Sequence, residues 1–457
     1  MYNYRLPGTD VKRSRFAFPF ALLLFLFLGS GVPNASTWKV PIQRKILSNG
    51  AVLVVSERHA LPFVTINVLV KAGAILDPPG KYGLSSMSAS LLTRGTAGRS
   101  ATQLAEETDF LGASLHAASG QDYSAVHLTI LKKDLHTGLD LLADVLRRPT
   151  FAREEIEKER REVLAVIRKD LEDPASVAQK AFYEAVFPGH PYGVPAEGTE
   201  ESVPRITRED IADFYKKYYF PGNLSFVVVG DITLQEAEKG LEQFFGDWPK
   251  QEAKPQVLPE EVLPSQTIVK KINKEVTQAT VFLGHEGIRR DNPDYYAIVV
   301  MNYILGGGGF ASRLMDNIRE TKGLVYDVSS SFVASKHAGA FQVVLQTKNE
   351  SANLAISEVL KEIRQIQDKE VAPQELQDAK AYLTGSFPLR LDTNSKIATL
   401  LNTIEFYGLG WNYLEEYPNR IRQVTAKDVL RVAKKYLHPD RHVLVVVGDL
   451  DKAKIKY

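Results

Sequence analysis

A chain of 457 residues, 44% hydrophobic and with a formal net charge of +1, is long enough for two or more cores, since domains commonly run to about 100–200 residues. That charge balance gives a nucleic-acid role no support. The absence of cysteine excludes disulfides, thiolate metal ligands and a lipid-modified cysteine.

At the amino terminus Lys12, Arg13 and Arg15 precede an apolar run from Phe16 to Leu28, followed by the small residues around Ala35 and Ser36. This order predicts a secretory signal peptide over residues 1–36, and with it export, to a compartment such as the bacterial periplasm. The run falls short of the roughly 20 residues that span a bilayer. An uncleaved anchor reaching Val32 stays open as the alternative; after cleavage no stable membrane span is expected.

In the first half, Asn49-Gly50 between apolar runs predicts a hairpin turn, and Phe63 to Val70 an extended strand. Helical periodicity follows over Gly83 to Arg94, Ala101 to Leu111, Lys133 to Leu146, Arg153 to Asp170 and Val177 to Phe187. His116 and His127 fall in extended patterns with no second donor at ligand spacing, and read as ordinary strand residues. His190, in Gly189-His190-Pro191-Tyr192-Gly193, reads as a structural loop residue.

The chain repeats itself. Thr207, Asp210, Lys216-Lys217-Tyr218, Pro221 and Val227 to Asp231 recur as Thr425, Asp428, Lys434-Lys435-Tyr436, Pro439 and Val445 to Asp449, offset by 218 throughout. Each copy reads as a capped helix, a proline turn and a buried strand. A repeat this long signals two copies of one domain: residues 37–247 and 266–457, joined by a proline-rich linker at 248–265. In the second copy Val269 to Ile272, Thr280 to Gly284, Val325 to Val333 and Gly339 to Thr347 are extended. Strands and long helices without strict alternation give an α+β class.

Two motifs carry the chemistry. The first is Gly83-Leu84-Ser85-Ser86-Met87-Ser88-Ala89-Ser90-Leu91-Leu92-Thr93-Arg94-Gly95-Thr96. The second is Ile304-Leu305-Gly306-Gly307-Gly308-Gly309-Phe310-Ala311-Ser312-Arg313-Leu314, followed by Ile318-Arg319-Glu320-Thr321-Lys322-Gly323-Leu324-Val325-Tyr326. Both resemble the pitrilysin and insulinase superfamily of zinc peptidases, which includes the mitochondrial processing peptidase. The likeness extends over Leu47 to Gly50, Val70 to Gly73, Gly189 to Gly193 and Gly198-Thr199. It implies two homologous halves, each a mainly antiparallel sheet backed by helices, closing as a clamshell around a peptide.

In that family the first motif reads G-L-A-H-F-L-E-H-M-L-F-K-G-T. Its two His bind zinc from one helix face, and its Glu activates the metal-bound water. Here those positions are Ser86, Ala89 and Ser90. The third family ligand, a Glu further along, falls on Val166. Glu162, one turn earlier, would supply a carboxylate under a shifted alignment, but alone it would not hold zinc. Hydroxyls and a methyl group are no substitute for imidazole and carboxylate, so the resemblance implies no metal bound by this chain. The structural reading of Ser85 to Ser90 is a small-residue helix packed closely on a neighbour.

The second motif implies more. In the family its Arg and Tyr, here Arg319 and Tyr326, reach a substrate peptide beside the zinc, and the loop Gly306-Gly307-Gly308-Gly309 allows close backbone approach. The plainer readings are a solvated helix-end arginine, the first inward residue of a strand and a surface loop. A chain with the substrate-side pair but without the metal-side triad matches the family's two-subunit solution. The expected role is the zinc-free subunit of a heterodimeric metalloendopeptidase, inactive alone, binding peptide and supplying Arg319 and Tyr326 to a partner with an intact His-x-x-Glu-His helix and its zinc. The rivals are a non-enzymatic structural or peptide-binding envelope protein, like respiratory-complex core subunits, and a serine hydrolase built on Ser86, Ser88 or Ser90. The last lacks a G-x-S-x-G elbow or a paired histidine.

Overall fold

The computed structural model describes residues 40–251 and 266–457. The expected signal peptide and residues 252–265 of the expected linker lie outside the described residues. Among the described residues no helix is long and apolar enough to cross a membrane.

The Asn49-Gly50 pair turns the chain between β1 (Gln43–Ile46) and β2 (Val52–Glu57). Gly50 sits at φ +92°, where a Cβ would be penalised, and Asn49 Nδ2 fastens the turn to the Phe245 carbonyl at 2.8 Å. With β3 (Phe63–Val70), β4 (Ser114–Ser119), β5 (Ser124–Leu131) and β6 (Leu224–Gly230) these form a six-stranded sheet of order β1-β2-β6-β3-β5-β4. The second half has β7 (Ile268–Asn273), β8 (Gln278–Glu286), β9 (Val325–Ala334), β10 (Gly339–Lys348) and β11 (Val443–Gly448), in the order β7-β11-β8-β10-β9.

The two orders match from β2 and β7 onward. The repeated Val-Val-Val-Gly strand, β6 or β11, is interior in each, parallel to one neighbour and antiparallel to the other. The helix before it starts at Thr207 or Thr425, each closed by a reciprocal capping box with Asp210 or Asp428. The repeat is therefore structural as well as textual, and the class is α+β.

In the first half the helices are α1 (Leu84–Ser90), α2 (Ala101–Phe110), α3 (Leu135–Arg147), α4 (Arg153–Glu172), α5 (Pro174–Val186), α6 (Arg208–Tyr218) and α7 (Leu234–Phe245). In the second half they are α8 (Tyr295–Asn302), α9 (Ala352–Asp368), α10 (Pro373–Gly385), α11 (Asn394–Tyr407), α12 (Tyr413–Gln423), α13 (Ala426–Tyr436) and α14 (Leu450–Ala453).

Each sheet is covered on one face by helices of its own half and on the other by a helix of the opposite half. Helix α5 lies on β8 and β11, burying Ala178 and Phe182 against Phe282, Val443, Val445 and Val447. Helix α11 lies on β3 and β6, where Ile397, Ala398 and Leu401 share a core with Val52, Val54, Val227 and Val229. This exchange explains why β6 and β11 are buried at every position and almost wholly apolar, Ser225 being the one polar side chain in the two strands: both faces are covered. It also fastens the halves together by hydrophobic burial, at about 1.5–3 kcal/mol for each large side chain enclosed.

Candidate functional site

Helix α1 keeps its shape without a metal. Gly83, at φ +95°, opens it so close to the next loop that a Cβ would stand 2.6 Å from the Glu197 carbonyl oxygen. The Asp77 carboxylate accepts the N–H groups of Gly83 and Ser85, both at 2.8 Å, supplying partners to orphan donors of the first turn. Ser86 and Ser90 stand one turn apart and half-buried, Ala89 is fully buried, and Ser88 Oγ donates to the Leu84 carbonyl at 2.6 Å.

Helix α1 packs on α4, where Val166 is 53% exposed. Arg94 Nη2 reaches Glu159 at 3.1 Å and Glu162 at 2.7 Å, so the one carboxylate that a shifted alignment offered is held in an ion pair. The donor set does not fit zinc. Among the described residues no group of three or more His, Asp or Glu is placed to hold a metal ion.

The second motif is built on wide turns. Helix α8 opens at Tyr303–Gly307 into a turn of π type, and Met315–Thr321 forms a second. Here Lys322 N–H reaches back five residues to the Asn317 carbonyl at 3.1 Å, and Leu324 N–H reaches Ile318 at 3.0 Å. Of the four glycines, Gly306 is a packing residue: a Cβ there would lie 2.5 Å from Ser330 Oγ on β9. Gly307 and Gly309 are exposed, and Gly309 adopts φ +56° with open space around it.

Arg319 and Tyr326 come together. The guanidinium carbon lies 5.1 Å from the Tyr326 ring centre and 4.5 Å from that of Phe310, a cation between two aromatic faces. Its Nε is 3.7 Å from Glu320. Tyr326 does not point inward, as the plainer strand reading would have it: it is the second residue of edge strand β9 and 79% exposed, while Phe310 is 68% exposed. The sequence reading passed over Phe310, although an aromatic directly after four glycines was the available signal.

A cavity of about 460 Å³ lies between the halves. The first half contributes Ile167, Val177, Tyr183 and Lys180, and the β9–β10 hairpin of the second contributes Val333. Glu197 and Gly198 also line it, so it adjoins the start of α1. Next to it the tips of two equivalent hairpins meet. Asp122, between β4 and β5, accepts the Tyr192 hydroxyl, the Tyr407 hydroxyl at 3.1 Å and the Lys336 N–H at 3.1 Å. Burial and then Asp122 push the Tyr192 and Tyr407 hydroxyls well above the usual phenol range.

The histidines divide. His190 is buried, and its Nδ1 accepts the Tyr192 N–H at 3.1 Å, a structural turn residue. His116 and His127 do have a second donor nearby, contrary to the spacing argument. They face each other across β4 and β5 with ring centres 4.8 Å apart. Burial, and secondarily His116, lower the His127 pKa to about 4. Its nitrogens are engaged by Asn67 and Thr129, so the pair remains part of the strand surface.

The chain matches the model of the insulinase (peptidase M16) family over residues 53–200, and that of the peptidase M16 inactive domain over residues 205–383. It is 29% identical to an uncharacterized zinc protease of Rickettsia felis over 85% of this chain and 93% of that one. It is 28% identical to the non-peptidase homolog YmxG of Helicobacter pylori over 96% and 99% of the two chains. Among solved structures, a peptidase M16 inactive domain from Pseudomonas fluorescens superposes with a TM-score of 0.84 at 29% identity, covering 89% of this chain and 98% of its own. Together these matches agree with an inactive member. The chain belongs to the M16, or insulinase, peptidase family.

Proposed function

We propose that this chain is the zinc-free subunit of a two-chain M16 endopeptidase, exported from the cytoplasm, which holds an extended peptide and presents Arg319 and Tyr326 to the partner's zinc site. The observation that carries this reading is the Arg319–Tyr326 pair itself. A guanidinium and a phenol are both hydrogen-bond donors, and donors preset at a peptide carbonyl stabilise the oxyanion formed when water attacks it. Tyr326 offers its hydroxyl to solvent. Strands β4 and β9 occupy equivalent sheet edges, where an extended peptide can add by main-chain pairing, and the cavity between the halves can take a side chain. From Tyr326 to Val333 at that cavity, β9 runs about 23 Å.

The test is reconstitution with a relative carrying an intact His-x-x-Glu-His helix. Peptide cleavage should require both chains, and Arg319→Ala in this chain should lower turnover about 100-fold, as loss of a preset donor does. Turnover unchanged by Arg319→Ala and Tyr326→Phe would refute the shared site. The second reading, a peptide-binding protein without enzymatic work, is favoured by the non-peptidase name of the Helicobacter relative. It predicts peptide binding by the isolated chain and no cleavage with any M16 partner.

A further inference from the structure

We propose that Asn317 is a positioning residue, which fixes the wide turn Met315–Thr321 and so holds the Arg319 guanidinium between Phe310 and Tyr326. This rests on the peptide-facing role given to Arg319 above. Among the described residues Arg319 has no close polar bond to orient it: its contacts there are two ring faces and the distant Glu320 carboxylate at 3.7 Å. Its direction is therefore set by the backbone beneath it, and that backbone is in an uncommon form. A π-type turn is rare and occurs frequently at functional sites.

The turn is clamped from outside. At its approach, Arg313 makes a fork to Glu375 of α10 with both nitrogens at 2.7 Å. Within it, the Asn317 amide donates to Glu358 at 3.0 Å and to Glu362 at 2.8 Å. Just after it, Lys322 Nζ reaches Glu358 at 2.7 Å. Glu358 and Glu362 are one turn apart on α9 and only 8% and 6% exposed. Two carboxylates so placed repel each other and lose hydration, so α9 gains nothing from them by itself. They become favourable where donors meet them, and the amide of Asn317, with two hydrogens on one nitrogen, satisfies both. Lys322 and Asn317 lower the Glu358 pKa, while burial raises that of Glu362. Lys322 thus bonds Glu358, while Arg313 and Lys361 reach Glu362 only through their fields and the Asn317 amide supplies its hydrogen bond.

The test uses the full chain alone and reads Arg319 directly, by the rate at which p-hydroxyphenylglyoxal modifies it, mapped by mass spectrometry. Asn317→Ala and Asn317→Asp should raise that rate about fivefold, the weight of a lost partly exposed cation–aromatic contact. Asn317→Asp with Glu358→Gln and Glu362→Gln, which exchanges donor and acceptor at both bonds, should return it toward wild type. Circular dichroism confirms folding, and should Asn317→Asp fail to fold, Asn317→Ala decides. An unchanged rate in folded Asn317→Ala, or no recovery in the folded exchange variant, overturns the proposal. The functional reading is judged separately by turnover of the reconstituted pair with Arg319→Ala. Failure there, with the modification result intact, removes the role of Arg319 and leaves Asn317 as its tether.

Discussion

Phe182 tests the exchanged-helix architecture. It belongs to the first half by sequence, yet its fully buried ring packs with the second sheet, 5.8 Å from the Phe282 ring centre. Phe182→Ala removes the ring and leaves a hole between a helix and a sheet that cannot close on it, at a cost of about 3–5 kcal/mol. Because α5 covers β8 and β11, the loss should appear there as weakened hydrogen-exchange protection over Gln278–Glu286 and Val443–Gly448, since protection follows local opening. Leu142→Ala in α3, within the first half's own core, is the matched control and should loosen the first sheet. Urea unfolding gives the magnitude and exchange mass spectrometry the location. A Phe182→Ala variant that loosened the first sheet as Leu142→Ala does would refute the exchange, as would a loss near 0.5 kcal/mol, typical of surface changes.

Arg94→Ala should cost about 2 kcal/mol in urea unfolding, because Glu159, with a side chain only 9% exposed, loses its counter-charge, while Glu162 at 47% regains water. His127 has its pKa lowered from 6.5 to about 4 by burial. The unfolded chain therefore takes up the proton first, and stability present above pH 6.5 is lost as pH falls toward 4. Allowing for solvent screening, the loss is about 1.5 kcal/mol; His127→Gln should flatten this part of the pH–stability curve. Restoring Ser86→His, Ser90→His and Val166→Glu together should confer zinc binding in equilibrium dialysis, given two imidazoles at i and i+4 and a carboxylate on the adjoining helix. If the triple variant takes up no zinc, the face of α1 and α4 is not the degenerate metal site.

Local patterns were legible where one stretch of chain decides its own structure. Phe63–Val70 reads as a strand to the residue, and both capping boxes read from Thr and Asp three apart. The apolar runs of β6 and β11 announce burial on both faces, but nothing local says that the second cover comes from the other half. Amphipathic α5 and α11 look the same whichever sheet they meet. The His116–His127 pair was within reach: a hairpin folded about Gln121 and Asp122 pairs positions equidistant from it, which puts these two opposite each other. The wide turns had no comparable signal, because their register is held by α9 and α10, far away in sequence.

The two motifs differ in what they require of the rest of the molecule. Helix α1 is started by Asp77 and Gly83, and Ser86 and Ser90 are only half-buried, so its start does not depend on their side chains. Metal-binding residues can be absent from such a helix with no structural penalty. The Arg319 site is the reverse. It carries two largely exposed aromatic rings, two wide turns and a pair of buried glutamates on one helix face, each unfavourable unless something compensates. An arrangement costly in several independent ways is the kind that function maintains against stability. On that physical ground Arg319 and Tyr326, rather than α1, are where the proposed work of this chain is to be tested first.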